Sequence, residues 1–324
     1  MIHSVLHAIN VFVHHLASVE WKWLLLGVLT HLAKLVAVSR AWRNILRAAY
    51  PKTRIRWLPV FGAYVAGTGV NAIIPARGAD VVRLFLARRR VEGATYTTLV
   101  STTLLQTLFD MLVASCILIW ALSQHVLPGT GVIKSPKLPG LDYGWAFRHP
   151  KAGLILALLL LVFGTLLVAW VAERVEGFKA KVAQGFAAFA DRSYYLRRVV
   201  PWQLCDWALR LVTVFFFLRA FGIPATVHNA LLVQVSQSLA TILPISPAGI
   251  GTEQALLVYV FRNVVGKSLA LSFSVGMRVT LIVVNAIVGF TAILLMTGTL
   301  RVRQAAEADR ADTEPARVKV TDGR

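Results

Sequence analysis

Acidic side chains are scarce in this sequence: 15 Asp and Glu stand against 34 Lys and Arg in 324 residues. The longest stretch between apolar runs, "SQHVLPGTGVIKSPKLPGLDYGWAFRHPK", holds a single acid, Asp142. It therefore offers no paired carboxylates for acid–base work. Cysteine is nearly absent as well. Cys116 and Cys205 both sit inside apolar runs, where a thiol behaves as a small hydrophobe and not as half of a disulfide or a metal ligand. No metal-ligand spacing and no nucleophile with a nearby base is found, and no cofactor is expected. The N-terminus "MIHSVLHAINVFVHHLASVEW" lacks both a basic leading region and a small-residue cleavage site, so it does not read as a removable signal peptide. Residues 1–20 read instead as an amphipathic segment in the membrane interface, with His3, His7, His14 and His15 marking its polar stripe.

What the chain has in abundance is apolar surface. Hydrophobic residues make up 57% and the mean hydropathy is +0.66, far beyond a soluble globular chain. Apolar runs of about 20 residues, the length that crosses a hydrocarbon core, recur from Trp21 to Leu300 and leave almost no room for a soluble domain. The spans are read at 21–40, 94–124, 151–172, 200–221 and 268–299, with two broken segments at 58–90 and 226–265. A net charge of +19 would fit nucleic acid, but the distribution of the cations argues otherwise. With the segment after the first span placed inside, the inside regions hold 23 Lys and Arg and the outside regions 7, and 4 more lie within or at the ends of spans. This is the positive-inside bias. It reports topology and attraction to anionic headgroups, and no nucleic-acid partner is expected. The expected location is a bacterial cytoplasmic (inner) membrane, with the polar tail 300–324 in the cytoplasm.

That count requires that the broken segments do not cross. "RWLPVFGAYVAGTGVNAIIPARGADVVRLFLARRR" has basic residues at both ends, and a crossing would strand five arginines outside. It is drawn as a re-entrant hairpin: an apolar half to Ile74, a turn at "PARG", and a short helix from Ala79 to Arg90. "NALLVQVSQSLATILPISPAGIGTEQALLVYVFRN" has the same construction about "PISPAGIG" and enters from the other side. The expected fold is an all-α polytopic membrane protein. Its transmembrane domain, 21–299, holds two inverted span–hairpin–span repeats, about 21–124 and 200–299, joined by the span at 151–172. Such repeats carry a substrate site where the broken elements meet near the midplane.

Non-helical backbone at membrane depth must be buried in protein or line a wet cavity. Pro75 and Gly78 permit the first turn. The helix that starts near Asp80 offers unpaired N–H groups to an anion, with Asn71 just before the turn. Arg77 adds a donor fork matched to phosphate; equally, Arg77 and Asp80 pair with each other or cap the helix. In the second turn Gly249 and Gly251 free the backbone and Thr252 is placed to cap the next helix. Glu253 lies in that helix's first turn, which either the helix dipole or a binding role explains. Ionisable residues within spans are the sharper signal, because each needs a partner, water or a ligand. They are Lys34, with His31 one turn before it, Asp110 and Arg278. Asp206 and Arg210, four apart on one helix face, satisfy each other.

"NAIIPARGADVVR" and "LPISPAGIGTEQA" resemble the two signature stretches of the lysylphosphatidylglycerol synthase transmembrane-region family, the flippase-like integral membrane proteins. The resemblance runs from about Trp21 to Thr299. Asp110 and Arg278 fall where that family commonly carries an acid and an arginine. Gln106 and Thr107 stand where it often has Glu-Arg, and Ala248 where a glycine is usual. The resemblance implies movement of lipids or lipid-linked molecules between leaflets. In the family's best-known arrangement a soluble aminoacyl-transferase domain follows the membrane region; a polar tail of about 25 residues stands there in this chain, so that activity is not expected of it. The expected substrate site comprises Arg77, Asp80, Asp110, Glu253, Arg278, Lys34 and Asn71, and the expected partner is an anionic membrane lipid. Two rival readings stay open: a polytopic lipid- or glycosyl-transferase, and a non-transporting partner of a separately encoded lipid-modifying enzyme.

Overall fold

The computed structural model describes residues 19–73, 78–123, 178–242 and 251–297. The amphipathic N-terminal segment, the span at 151–172, most of both turns with Arg77, and the polar tail lie outside these residues. Every regular element among the described residues is helical. In chain order these are α1 (Trp21–Ala49), α2 (Trp57–Ile73), α3 (Gly78–Arg88), α4 (Tyr96–Ser123), α5 (Phe178–Gly185), α6 (Ala187–Ala190), α7 (Arg192–Ala220), α8 (Val227–Ile242), α9 (Thr252–Val260) and α10 (Lys267–Thr297). Of these, α1, α4, α7 and α10 are long and apolar enough to cross a membrane. Their outward residues stay apolar and exposed, among them Leu25, Leu29, Leu112, Ile119, Leu204, Ile287 and Leu295, as a lipid-facing surface requires.

The two broken segments each fold back on themselves. The 11 residues of α3 and the 9 of α9 rise only about 14–16 Å at 1.5 Å per residue, far short of a bilayer core. Pro59 and Val60, at the start of α2, line a cavity of about 90 Å³ together with Ala87, Arg90 and Val91, at and just beyond the end of α3. The two ends of this broken segment therefore lie beside each other. Ala230 and Val233 of α8 share a core with Leu257 and Phe261, at the end of α9 and just beyond, which closes the second segment in the same way.

Two spans run further than hydropathy indicates. α1 continues nine residues past 40, because Trp42, Ile45 and Leu46 keep a fully buried stripe while Arg43 and Arg47 take the other faces. α7 begins at Arg192, eight residues before the apolar run. Pro201 would clash with a carbonyl one turn back and has no N–H to give it; a widened π turn at Tyr195–Val199 precedes it. Asn44 Nδ2 donates to the Arg198 carbonyl at 2.6 Å and the Tyr194 hydroxyl to the Asn44 carbonyl at 2.9 Å, so this turn is tied to α1. A helix does not stop where lipid stops: hydropathy marks the slab, whereas packing and backbone hydrogen bonds mark the helix.

Long-range contacts join helices far apart in the chain. α1 packs along α7, α2 along α10, and α8 against α4. At the α2–α10 crossing, a Cβ added to Gly69 would stand 2.6 Å from Gly289 Cα. Between apolar helices in lipid, attraction comes from van der Waals contact instead of water exclusion, so small residues that let backbones touch decide which helices associate. The α1–α7 seam is built on the same rule, with Gly27 lying under the Phe217 ring.

Candidate functional site

Ionisable side chains from α1, α4 and α7 meet inside this bundle. Arg210 directs Nε and Nη2 at Asp206 Oδ2, both at 2.9 Å, as their spacing of four residues predicts. Its Nη2 also lies 3.7 Å from Asp110 Oδ2 on α4, a partner 100 residues away that no spacing rule supplies. Trp207 Nε1 donates to Asp110 Oδ1 at 2.9 Å, and the guanidinium of Arg210 lies 4.7 Å from the Trp207 ring centroid. Lys34 on α1 lies within electrostatic reach of Arg210, Asp206 and Asp110. One turn earlier, His31 Nε2 donates to Asn285 Oδ1 on α10 at 2.8 Å. Asp206 is 1% exposed, and among the described residues its Oδ1 has no hydrogen-bond partner.

A second group ties the far hairpin to the last span. Arg278 Nη1 donates to Glu253 Oε2 at 2.7 Å, and Gln237 Nε2 donates to Glu253 Oε1 at 3.2 Å. Three helices, α8, α9 and α10, thus converge on one carboxylate. The cap of α9 differs from the sequence expectation: Gly251, at φ 89°, and not Thr252, occupies the N-cap. The Gly251 N–H donates to Gln254 Oε1 at 2.7 Å. With φ in the left-handed region, glycine is the residue that fits without strain.

Asn71 and Asp80 flank the first turn and are both exposed. The fold therefore brings together Lys34 and Asp110 in one group and Glu253 and Arg278 in another, and places Asn71 and Asp80 beside the turn that contains Arg77. Among the described residues no three His, Cys, Asp or Glu side chains are grouped as a metal ion would need.

Arg83 is the residue that sequence reasoning missed. In the sequence it reads as one of the five arginines of the first broken segment that only set orientation, yet it is 8% exposed. Its guanidinium carbon lies 3.8 Å from the centroid of the Trp42 ring and 4.4 Å from that of Tyr64. Nη2 donates to Gln106 Oε1 at 2.8 Å, so the position at which the resembled family often has an acid meets this cation as a neutral amide. Among the described residues Nε is buried without a hydrogen-bond partner. A signal did exist: Val82 and Leu86 are one turn apart on the buried face of α3, and Arg83 falls inside that stripe.

Against known proteins, the chain matches a family model described as Lysylphosphatidylglycerol synthase TM region over residues 7–289. It is also similar to a UPF0104 membrane protein of Methanocaldococcus jannaschii, 22% identical over 197 residues, covering 60% of this chain and 79% of that protein. No solved structure matches it.

Proposed function

The chain belongs to the lysylphosphatidylglycerol synthase TM region family, and on that premise we propose that it moves an anionic lipid or lipid-linked molecule between the leaflets of a bacterial cytoplasmic membrane. The observation that carries this reading is the meeting of charged side chains from α1, α4 and α7, partly buried except for the fully buried Asp206, beside a helix α3 too short to cross. Intramembrane charges mark substrate and ion paths, and a polar interior is what a headgroup needs in order to leave one surface for the other. The hairpins are re-entrant in this reading, one from each side, and the two span–hairpin–span units are inverted repeats. A twofold exchange of α1–α4 with α7–α10 maps the α1–α7 seam onto itself and the extensive α2–α10 contact onto the much smaller α8–α4 contact, which supports this reading. Arg77 and the N-terminus of α3 take the headgroup phosphate at one turn, and Arg278 and Glu253 stand at the other.

Purified protein in liposomes is expected to accelerate exposure of an inner-leaflet fluorescent lipid to a membrane-impermeant quencher. No gain over empty liposomes for anionic, zwitterionic and isoprenoid-linked lipids would sink the transport reading. A second reading is favoured by the family's own description, which names a region of a synthase: the chain would serve a separately encoded lipid-modifying enzyme, and such a partner would bind with no transfer by the purified protein alone.

Topology has its own test. Single cysteines at Lys52, Glu92 and Lys179 are expected to react with an impermeant thiol reagent only from the cytoplasm, and one at Lys267 only from outside. The background lacks Cys116 and Cys205, both of which are exposed. Labelling at Glu92 from outside would mean that the first broken segment crosses, and the inverted-repeat reading would fall with it.

A further inference from the structure

Among the described residues Arg210 takes up both acids of the interior cluster, Asp206 and Asp110, and neither Lys34 nor Arg83 makes an ion pair. The cation left without an ion pair beside the first hairpin is Arg83, whose hydrogen bond goes to the neutral amide of Gln106. The acids that face it are Asp80, two positions into its own helix, and Asp110 on α4, and neither makes an ion pair with it among the described residues. The faces of Trp42 and Tyr64 offset part of the cost of burying a guanidinium, but a buried cation without an anion remains expensive, and the orphaned Nε adds an unmade hydrogen bond. An arrangement that holds a planar donor fork between two aromatic faces, with one donor unspent and its charge unpaired, is complementary to a monoanion with at least two acceptor oxygens.

We infer that Arg83, braced by Trp42, Tyr64 and Gln106, is the anchor for a singly charged phosphate ester, and that this ester is the phosphodiester of a membrane lipid. The inference builds on the lipid-transport reading and deepens it by placing the headgroup phosphate beside α3. Gln106 sets the availability of the site. A carboxylate in place of its amide, 2.8 Å from Nη2, would close the ion pair internally and displace the phosphate.

The test is the thermal midpoint of the full chain in neutral detergent, titrated with phosphatidylglycerol, with diacylglycerol as the phosphate-free lipid, and with sodium phosphate at fixed ionic strength. Phosphatidylglycerol is expected to raise the midpoint of the wild type where diacylglycerol does not. Arg83→Gln and Gln106→Glu are expected to need about 10- to 100-fold more of it, the size of one or two lost charge-assisted hydrogen bonds. Gln106→Glu is also expected to melt above the wild type without lipid, a gain that separates a satisfied Arg83 from a damaged fold. If Arg83→Gln fails to fold, Arg83→Lys, which keeps the charge and loses the fork, is expected to show the weakened response. A response to phosphatidylglycerol alone identifies the lipid phosphodiester, and a response to sodium phosphate as well supports the same anion chemistry. Equal responses to phosphatidylglycerol and diacylglycerol, or a wild-type response in Gln106→Glu and in whichever Arg83 variant folds, overturn the inference. Because binding is read without transfer, a protein that moves no lipid in liposomes yet binds it through Arg83 defeats the transport reading and leaves this one standing.

Discussion

Arg210→Leu is expected to be the most damaging single change in this protein, with little folded material recovered from membranes. Arg210 is the shared counter-ion of Asp206 and Asp110, and Asp206 is all but sealed from the surface. Removing one member of a buried ion pair leaves an uncompensated charge at a cost of about 3–5 kcal/mol, and here two carboxylates lose their partner together. Arg210→Lys is expected to fall between, because an ammonium keeps the charge but gives up both the two-nitrogen grip on Asp206 and the stack on Trp207. Arg210→Leu combined with Asp206→Leu and Asp110→Asn is expected to recover part of the yield and melting temperature, since no carboxylate is then left without its counter-ion, while Lys34 keeps its charge. Transfer activity is not expected to return, if these charges line the lipid path. Yield in membranes and the melting midpoint in detergent decide it: a single variant Arg210→Leu that melts with the wild type would show that the three charges are not mutually dependent.

Arg278→Ala is expected to have the second largest effect, again about 3 kcal/mol or more, through Glu253. That carboxylate is held by Arg278 from α10 and Gln237 from α8, and its own helix α9 has only nine residues, too few to be stable without tertiary contacts. Loss of Arg278 is therefore expected to loosen the whole second hairpin, readable as faster hydrogen exchange in α9 and a lower melting midpoint. The paired change Arg278→Met with Glu253→Leu separates structure from function. Restored stability with lost lipid transfer would place the pair in the headgroup path. Restoration of both would make it a structural bridge and remove Arg278 and Glu253 from the proposed site. A single variant Arg278→Ala with unaltered melting and exchange would contradict the bridging role.

The amino-acid sequence by itself determined the class of this protein and where several of its helices lie. Apolar runs of spanning length, cations clustered between them, and Pro and Gly inside two long runs are local properties, summed over neighbours in the chain. They suffice to place α4 and α10 to within three residues and to set α2 and α3, and likewise α8 and α9, apart at their turns. The Asp206–Arg210 pair was legible for the same reason, because four residues is one turn of a helix. Tertiary structure alone decided which distant groups meet. Asp110 finds Arg210 and Glu253 finds Arg278, where the sequence showed only lone charges that needed partners. Gly69 and Gly289 are two glycines among 22 until α2 and α10 cross at them. Arg83 shows the limit most plainly: on a count of loop cations it reports orientation, and only the approach of Trp42 from α1, Tyr64 from α2 and Gln106 from α4 turns it into a buried charge. The physical reason is that membrane insertion depends on transfer of each segment on its own, whereas the pairing of charges depends on packing among helices that hydropathy alone does not rank.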